Sequence, residues 1–169
     1  PQLLEQAIID RKAKIGKYPK AIIPVHLYGM PAKMDEIMAI ANRYEIPVLE
    51  DAAEALGSIY KGQYCGTFGE YGVFSFIGNK MITTSGGGAL VTPNEEAKKR
   101  VMFYATQARE NAPHYQHEEI GYNYRMSNVV AGVVRGQYPY LEEHIAQKKG
   151  IYERYRDGFK DLPVQMNPI

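Results

Sequence analysis

Short unbroken apolar runs alternate with helical stripes along this chain. Leu3-Leu4, Ala7-Ile8 and Ile15 recur at helical spacing, so residues 3 to 15 read as an amphipathic helix that Gly16 and Pro19 end. Ala21-Ile22-Ile23-Pro24-Val25-His26 is continuously apolar, the pattern of a strand buried on both faces. After a turn at Tyr28-Gly29-Met30-Pro31, the positions Met34, Ile37, Met38, Ile40, Ala41 and Tyr44 mark a second helix. A strand is expected at Ile46 to Glu50, then a small-residue segment to Leu56, and a hairpin or loop at residues 60 to 64. Further strands are expected from Gly69 to Phe76 and from Gly86 to Thr92, and Asn94 is placed to cap a helix running through Tyr104.

Residues 105 to 122 have no period and read as a long loop, a kind of segment that tends to be functional. Ser127 or Asn128 can cap a long helix containing Val129, Val130, Val133 and Val134. Leu141, Ile145, Tyr152 and Tyr155 continue the pattern past Pro139, which should kink it. Strands that alternate with helices imply an α/β fold with a parallel or mixed sheet.

Composition narrows the function classes. The 169 residues suffice for one ordinary core, and 45% apolar with 23% charged residues is the balance of a soluble globular protein. A formal net charge of +1 without a basic stripe argues against a nucleic-acid partner. No apolar run reaches membrane-spanning length, so no membrane partner is expected. The single cysteine, Cys65, excludes an internal disulfide and a cysteine-built metal site, and it fits a reducing, cytoplasmic compartment. His114 and His117 lack a second ligand cluster, so no metal is expected. The opening at Pro1 and the end at Asn167-Pro168-Ile169 read as cut points in a longer protein.

Two places carry candidate chemistry. Lys80 follows a short apolar strand and precedes small residues, and none of its sequence neighbours is acidic. A desolvated amine of that kind attacks carbonyls, although a surface lysine at a strand end has the same local pattern. Upstream, Ile46-Pro47-Val48-Leu49-Glu50-Asp51 ends a strand in carboxylates, and strand carboxyl ends line the ligand crevice of an open α/β sheet. Asp51 could answer a protonated pyridine nitrogen, or it could cap the next helix.

Five motifs in register then match a known family: Pro24-Val25-His26-Leu27-Tyr28-Gly29, Glu50-Asp51-Ala52-Ala53-Glu54-Ala55, Phe74-Ser75-Phe76 with Lys80, Ile82-Thr83-Thr84 with its glycines, and Gly121-Tyr122-Asn123-Tyr124-Arg125-Met126. Over nearly its whole length the chain resembles the DegT/DnrJ/EryC1/StrS aminotransferases, which use pyridoxal 5'-phosphate (PLP). Within them it is most similar to the 4-aminotransferases of bacillosamine and exopolysaccharide type.

The resemblance implies the central part of the large domain of a fold type I enzyme, of the aspartate-aminotransferase type. Residues 1 to 126 would be the cofactor-binding core, with a mostly parallel sheet, and residues 127 to 169 a helical segment leading toward a C-terminal small domain. Lys80 would be the Schiff-base lysine and proton shuttle. Asp51 would hold the pyridine nitrogen protonated, Ala53 would pack on the ring, Glu54 would reach the 3-hydroxyl, and Ser75 would bind the phosphate. Glycines 86 to 88 would let the backbone approach ring and phosphate. Asn123 would reach the phosphate of a neighbouring subunit in a homodimer with shared sites. Arg125 would serve the substrate diphosphate or the dimer interface. His26 is either a substrate contact or a core histidine.

The implied substrates are an amino-acid donor, glutamate by family analogy, and a nucleotide-linked 4-keto-6-deoxysugar used in cell-surface polysaccharide or glycan biosynthesis. The family's N-terminal phosphate loop has no counterpart here, so a second reading is a non-catalytic fragment, folded or oligomeric but inactive. A Rossmann-like nucleotide-binding domain is disfavoured, because no G-x-G-x-x-G follows the first strand.

Overall fold

The computed structural model describes residues 1–167. Pro168 and Ile169, the end of the expected helical segment, lie outside the described residues. The helices follow the apolar stripes closely. They are α1 (Gln2–Ile15), α2 (Met34–Arg43), α3 (Glu95–Ala105), α4 (Asn128–Gln137) and α5 (Leu141–Gly158). Gly16 ends α1 in the left-handed conformation, where glycine carries no Cβ penalty. Asn94 accepts hydrogen bonds from the Glu96 and Ala97 amides, and Ser127 accepts from Val130, so both expected caps form. Pro139 falls in a one-turn 3-10 segment between α4 and α5, where its missing N–H costs no helical bond.

The strands are shorter than the apolar runs that contain them. They are β1 (Leu49–Asp51), β2 (Ile59–Tyr60), β3 (Gln63–Tyr64), β4 (Tyr71–Ser75) and β5 (Gly88–Val91). β2 and β3 form the small hairpin expected around Gly62. The main sheet has the order β1-β4-β5, with β1 and β4 parallel and β4 and β5 antiparallel. Its register sets Asp51 beside Val73 and Ser75 beside Gly88.

The 21–26 run departs from expectation. It runs alongside β1 through two isolated bridges, Ile22 with Val48 and Val25 with Asp51. Pro24 has no N–H to give the ladder, so the pairing breaks there. Its residues are not buried on both faces: Ile22, Pro24 and His26 face the core, while Ile23 and Val25 are 60% and 51% exposed.

The main core lies between this sheet edge and α1 and α2, and is built from Ile8, Ile22, Met34, Ile40, Ala41, Ile46 and Val48. A second cluster, Phe76, Ile82 and Leu141 with Val134 and Ile145 against it, fastens the α4–α5 pair beside the chain that follows β4. Gln137 reinforces that contact by bonding both the amide and the carbonyl of Thr83. The expected long loop before α4 is irregular but tied down, with Arg100 and Tyr104 of α3 both bonded to Glu119. Among the described residues no helix is long and apolar enough to cross a membrane.

Candidate active site

Neighbouring residues on a strand point to opposite faces, and β1 ends in two acids. Glu50 and Asp51 are thereby sent to different jobs. The Glu50 carboxylate is fully buried. It accepts hydrogen bonds from the backbone amides of Gly66, Phe68 and Gly69 at 2.7, 2.6 and 2.8 Å, and lies 3.0 Å from His26 Nε2. Burial alone would raise its pKa, but the His26 contact and the three amides outweigh that and hold it below the ordinary carboxylate value.

The His26 ring is also fully buried, and Nδ1 accepts from the Ala32 amide at 3.1 Å. Burial disfavours a charged ring, whereas the Cys65 thiol and Glu50 favour one. The Ala32 bond decides it, because a proton on Nδ1 would set two N–H groups against each other. His26 therefore carries its proton on Nε2 and donates it to Glu50. Both ring nitrogens are spent inside the protein, which makes it the core histidine of the two readings and leaves nothing for a substrate.

The loop that Glu50 gathers needs glycine where backbones touch. A Cβ on Gly72 would fall 2.0 Å from the Gly66 carbonyl oxygen, and one on Gly69 would fall 2.4 Å from that of Val48. This buried acid and its glycine-lined loop escaped the sequence reading, which noticed Glu50 only as half of an acidic pair. The spacing of Gly66, Gly69 and Gly72 was the available signal.

Asp51 is partly buried on the other face. Its Oδ1 accepts from the Ala53 amide at 3.2 Å, which closes a turn; β2 rather than a helix follows, so there is no helix for Asp51 to cap. Its Oδ2 has no protein partner among the described residues. Ala53 is partly buried beside it, with Ala52 fully buried behind. The parallel register carries the face of Asp51 to Val73, and a period of two carries it on to Ser75. Ser75 Oγ accepts only a long 3.4 Å bond from Ile77, so its hydroxyl proton is free for a ligand.

From Ser75 the chain turns, closing with a Lys80 amide bond to the Ile77 carbonyl. The Lys80 side chain, 14% exposed, reaches back so that Nζ donates to Glu54 Oε1 at 3.1 Å. The acid missing from its sequence neighbourhood thus arrives from 26 residues upstream. Glu54 Oε2 accepts from the Tyr28 amide at 2.7 Å. That amide, and then Lys80, hold the Glu54 carboxyl below its ordinary pKa.

Glycines 86 to 88 meet three different surroundings. A Cβ on Gly88 would strike the Phe74 carbonyl of the neighbouring strand β4, Gly87 has a left-handed φ of 87° against Met126, and Gly86 faces open space. Their tight contacts are with protein.

Asn123 and Arg125 are not brought to Lys80 within this chain. Their segment lies on the end of α3, with Tyr122 and Tyr124 amides bonded to the Tyr104 and Ala105 carbonyls. Both side chains are exposed and have no protein partner among the described residues.

Asp51, Ala53, Glu54, Ser75 and Lys80 therefore gather at the carboxyl ends of β1 and β4. They offer one free carboxylate oxygen, one free hydroxyl, one amine and a small apolar surface. That set fits a flat cationic heteroaromatic bearing a carbonyl and a phosphate, which is the chemistry of PLP. The sequence model of the DegT/DnrJ/EryC1/StrS aminotransferase family matches residues 1–168.

The chain belongs to that family.

EpsN of Bacillus subtilis (strain 168), whose name assigns it to the PLP-dependent aminotransferases, is 52% identical over 96% of this chain and 42% of its own length. A GDP-perosamine synthase of Escherichia coli O157:H7 is 40% identical over 94% of this chain and 43% of its own. A solved family aminotransferase from Brucella abortus superposes with a TM-score of 0.89 at 32% identity, covering 99% of this chain and 45% of that structure. The chain spans less than half the length of each of these family members. Its α/β fold is the fold type I arrangement that the sequence motifs implied.

Proposed function

We propose that this chain carries the catalytic core of a PLP-dependent aminotransferase that moves an amino group from an amino acid, glutamate by family analogy, to the keto carbon of a nucleotide-linked 4-keto-6-deoxysugar. The observation that carries the reading is the Lys80–Glu54 contact. It brings the Lys80 amine to Glu54, three residues after Asp51, at the sheet edge that bears Ser75.

PLP, when bound, supplies an electron sink for the carbon next to the transferred nitrogen. The residues of this chain do the rest. Asp51, through Oδ2, keeps the ring nitrogen protonated by offering it a fixed negative charge. Ser75 donates its hydroxyl to the phosphate without adding charge. Ala53 leaves room for the ring to lie flat, and Glu54 is within reach of the 3-hydroxyl. Lys80 would hold the cofactor through its amine and would carry a proton at the substrate carbon. His26, through Glu50, keeps the strand end that carries Asp51 in place.

Exposed Asn123 supports a homodimer in which it reaches the phosphate in the neighbouring subunit, with Arg125 at the substrate diphosphate or the interface. The GDP-linked product named for the Escherichia coli relative supports a nucleotide-sugar substrate, with use in polysaccharide biosynthesis in the cytoplasm.

The decisive experiment incubates the protein carrying residues 1–169 with PLP, reduces with borohydride and maps the adduct by mass spectrometry. An adduct on Lys80, lost in Lys80→Ala, is expected, together with glutamate-dependent amination of a nucleotide 4-keto sugar. Absence of an adduct at Lys80 overturns the reading.

A further inference from the structure

Glu54 stands in a different relation to Lys80 than a cofactor contact requires. Both of its oxygens are committed before any ligand arrives, Oε1 to Lys80 Nζ at 3.1 Å and Oε2 to the Tyr28 amide at 2.7 Å. The Tyr28 bond is built in. Tyr28 sits in the left-handed region at φ 56°, and the adjoining Gly29 carbonyl accepts from Ser58 Oγ at 2.7 Å, so the 27–29 turn is pinned from both sides of Glu54. A Cβ on Gly29 would fall 2.8 Å from the Glu54 carbonyl oxygen, so this turn needs glycine to sit this close. A carboxylate held this way can neither swing out nor give up its charge easily.

Lys80 has one charged neighbour within bonding reach among the described residues, and it is Glu54. The other charged and titratable groups around Glu54 come from three elements. Tyr28 belongs to the 27–29 turn, Lys148 and Lys149 of α5 line the same cleft of about 330 Å³, and Asp51 precedes Glu54 by three residues at the end of β1. The two α5 lysines have no acidic partner among the described residues. Glu54 is the one acid that lines this cleft among the described residues.

We propose that Glu54 is a positioning residue and clamp for Lys80, which holds the amine aimed across the crevice and so governs how readily Lys80 captures a carbonyl. Attack on a carbonyl needs the nitrogen of Lys80 turned toward it, and the contact with Glu54 at 3.1 Å holds that nitrogen elsewhere. Capture therefore requires the ion pair to part. The Tyr28 amide then keeps Glu54 in place to meet the bound coenzyme. This deepens the aminotransferase reading, but the clamp itself is a property of the chain without coenzyme.

The test uses a small carbonyl that needs no binding site. The folded chain is treated with formaldehyde and cyanoborohydride across pH 6 to 10, and methylation of Lys80 is quantified by peptide mass spectrometry, with exposed Lys17 and Lys20 as internal references. Glu54→Gln should raise Lys80 methylation at a given pH about threefold or more, with the references unchanged. Glu54→Asp, which keeps the charge, should return it toward the parent rate. An unchanged or slower Lys80 in Glu54→Gln, or an Asp variant as fast as the Gln variant, overturns the clamp. A chain that shows this response yet gives no PLP adduct at Lys80 would keep the clamp and lose the aminotransferase reading.

Discussion

Glu50 and His26, 24 residues apart, meet at 3.0 Å with both side chains fully buried. The pair bolts the 21–26 segment to β1 behind Asp51, and the same carboxylate gathers the 66–69 loop. Replacing one partner strands the other in the interior. Glu50→Gln should cost about 3 kcal/mol of stability, the scale for breaking a buried charged contact, and denaturant unfolding measures it. A change below about 0.5 kcal/mol would mean that the carboxylate does not organise this loop.

The same carboxylate predicts how stability follows pH. Its folded pKa is depressed, so its contribution is present above the unfolded carboxylate value and is lost as pH falls through the folded one. The stability gap between the parent and Glu50→Gln should therefore be widest at neutral pH and close below about pH 4. Unfolding curves at stepped pH check this. A gap that instead widens in acid would reverse the sign and remove Glu50 as its source.

Gly72 and Gly86 separate a structural glycine from a permissive one. An alanine at 72 would drive its Cβ to 2.0 Å from the Gly66 oxygen, in backbone that cannot yield without moving the Glu50 loop, whereas Gly86 faces open space. Gly72→Ala should cost about 3 kcal/mol or more, and Gly86→Ala should stay within about 0.5 kcal/mol. Thermal unfolding of the two variants side by side decides it.

The two carboxylates of the crevice should differ in function as they differ in contacts. Asp51→Asn leaves the turn to Ala53 intact in shape but removes the free negative oxygen. Covalent loading at Lys80 should survive, while transamination falls about a hundredfold or more, the scale of losing one preorganised electrostatic partner. Single-turnover kinetics on the loaded protein separate the two steps. Turnover near that of the parent would take the ring-nitrogen role away from Asp51.

What could be read from residues alone follows the range of the forces involved. The helices were legible because their signals are local: the stripe of Met34, Ile37 and Ala41, the Asn94 cap and the Pro139 break all act within a few positions. Strand lengths were less so, because the missing donor of Pro24 matters only once β1 lies alongside it. The candidate site was legible as motifs, but its wiring was not. Glu54 meets Lys80, and Glu50 meets His26, through a parallel crossover that sequence distance hides. Glycines 86 to 88 show the same limit, since a glycine states that something is close without saying what.

Exposed Asn123 makes the last prediction, which concerns the number of chains in one site. Its segment packs on α3, away from Lys80, and its side chain has no partner in its own chain among the described residues. If it serves a neighbour, the Lys80→Ala and Asn123→Ala lesions of a mixed dimer fall together in one site. Equal mixing after subunit exchange makes half the dimers mixed. Each of these carries both lesions in one site and none in the other, so about a quarter of the parent activity should return. The measurement is amino transfer by each variant alone and by the exchanged mixture. Recovery near a quarter requires a site shared between two chains, whereas a mixture as inactive as its parts would mean that one chain builds the whole site.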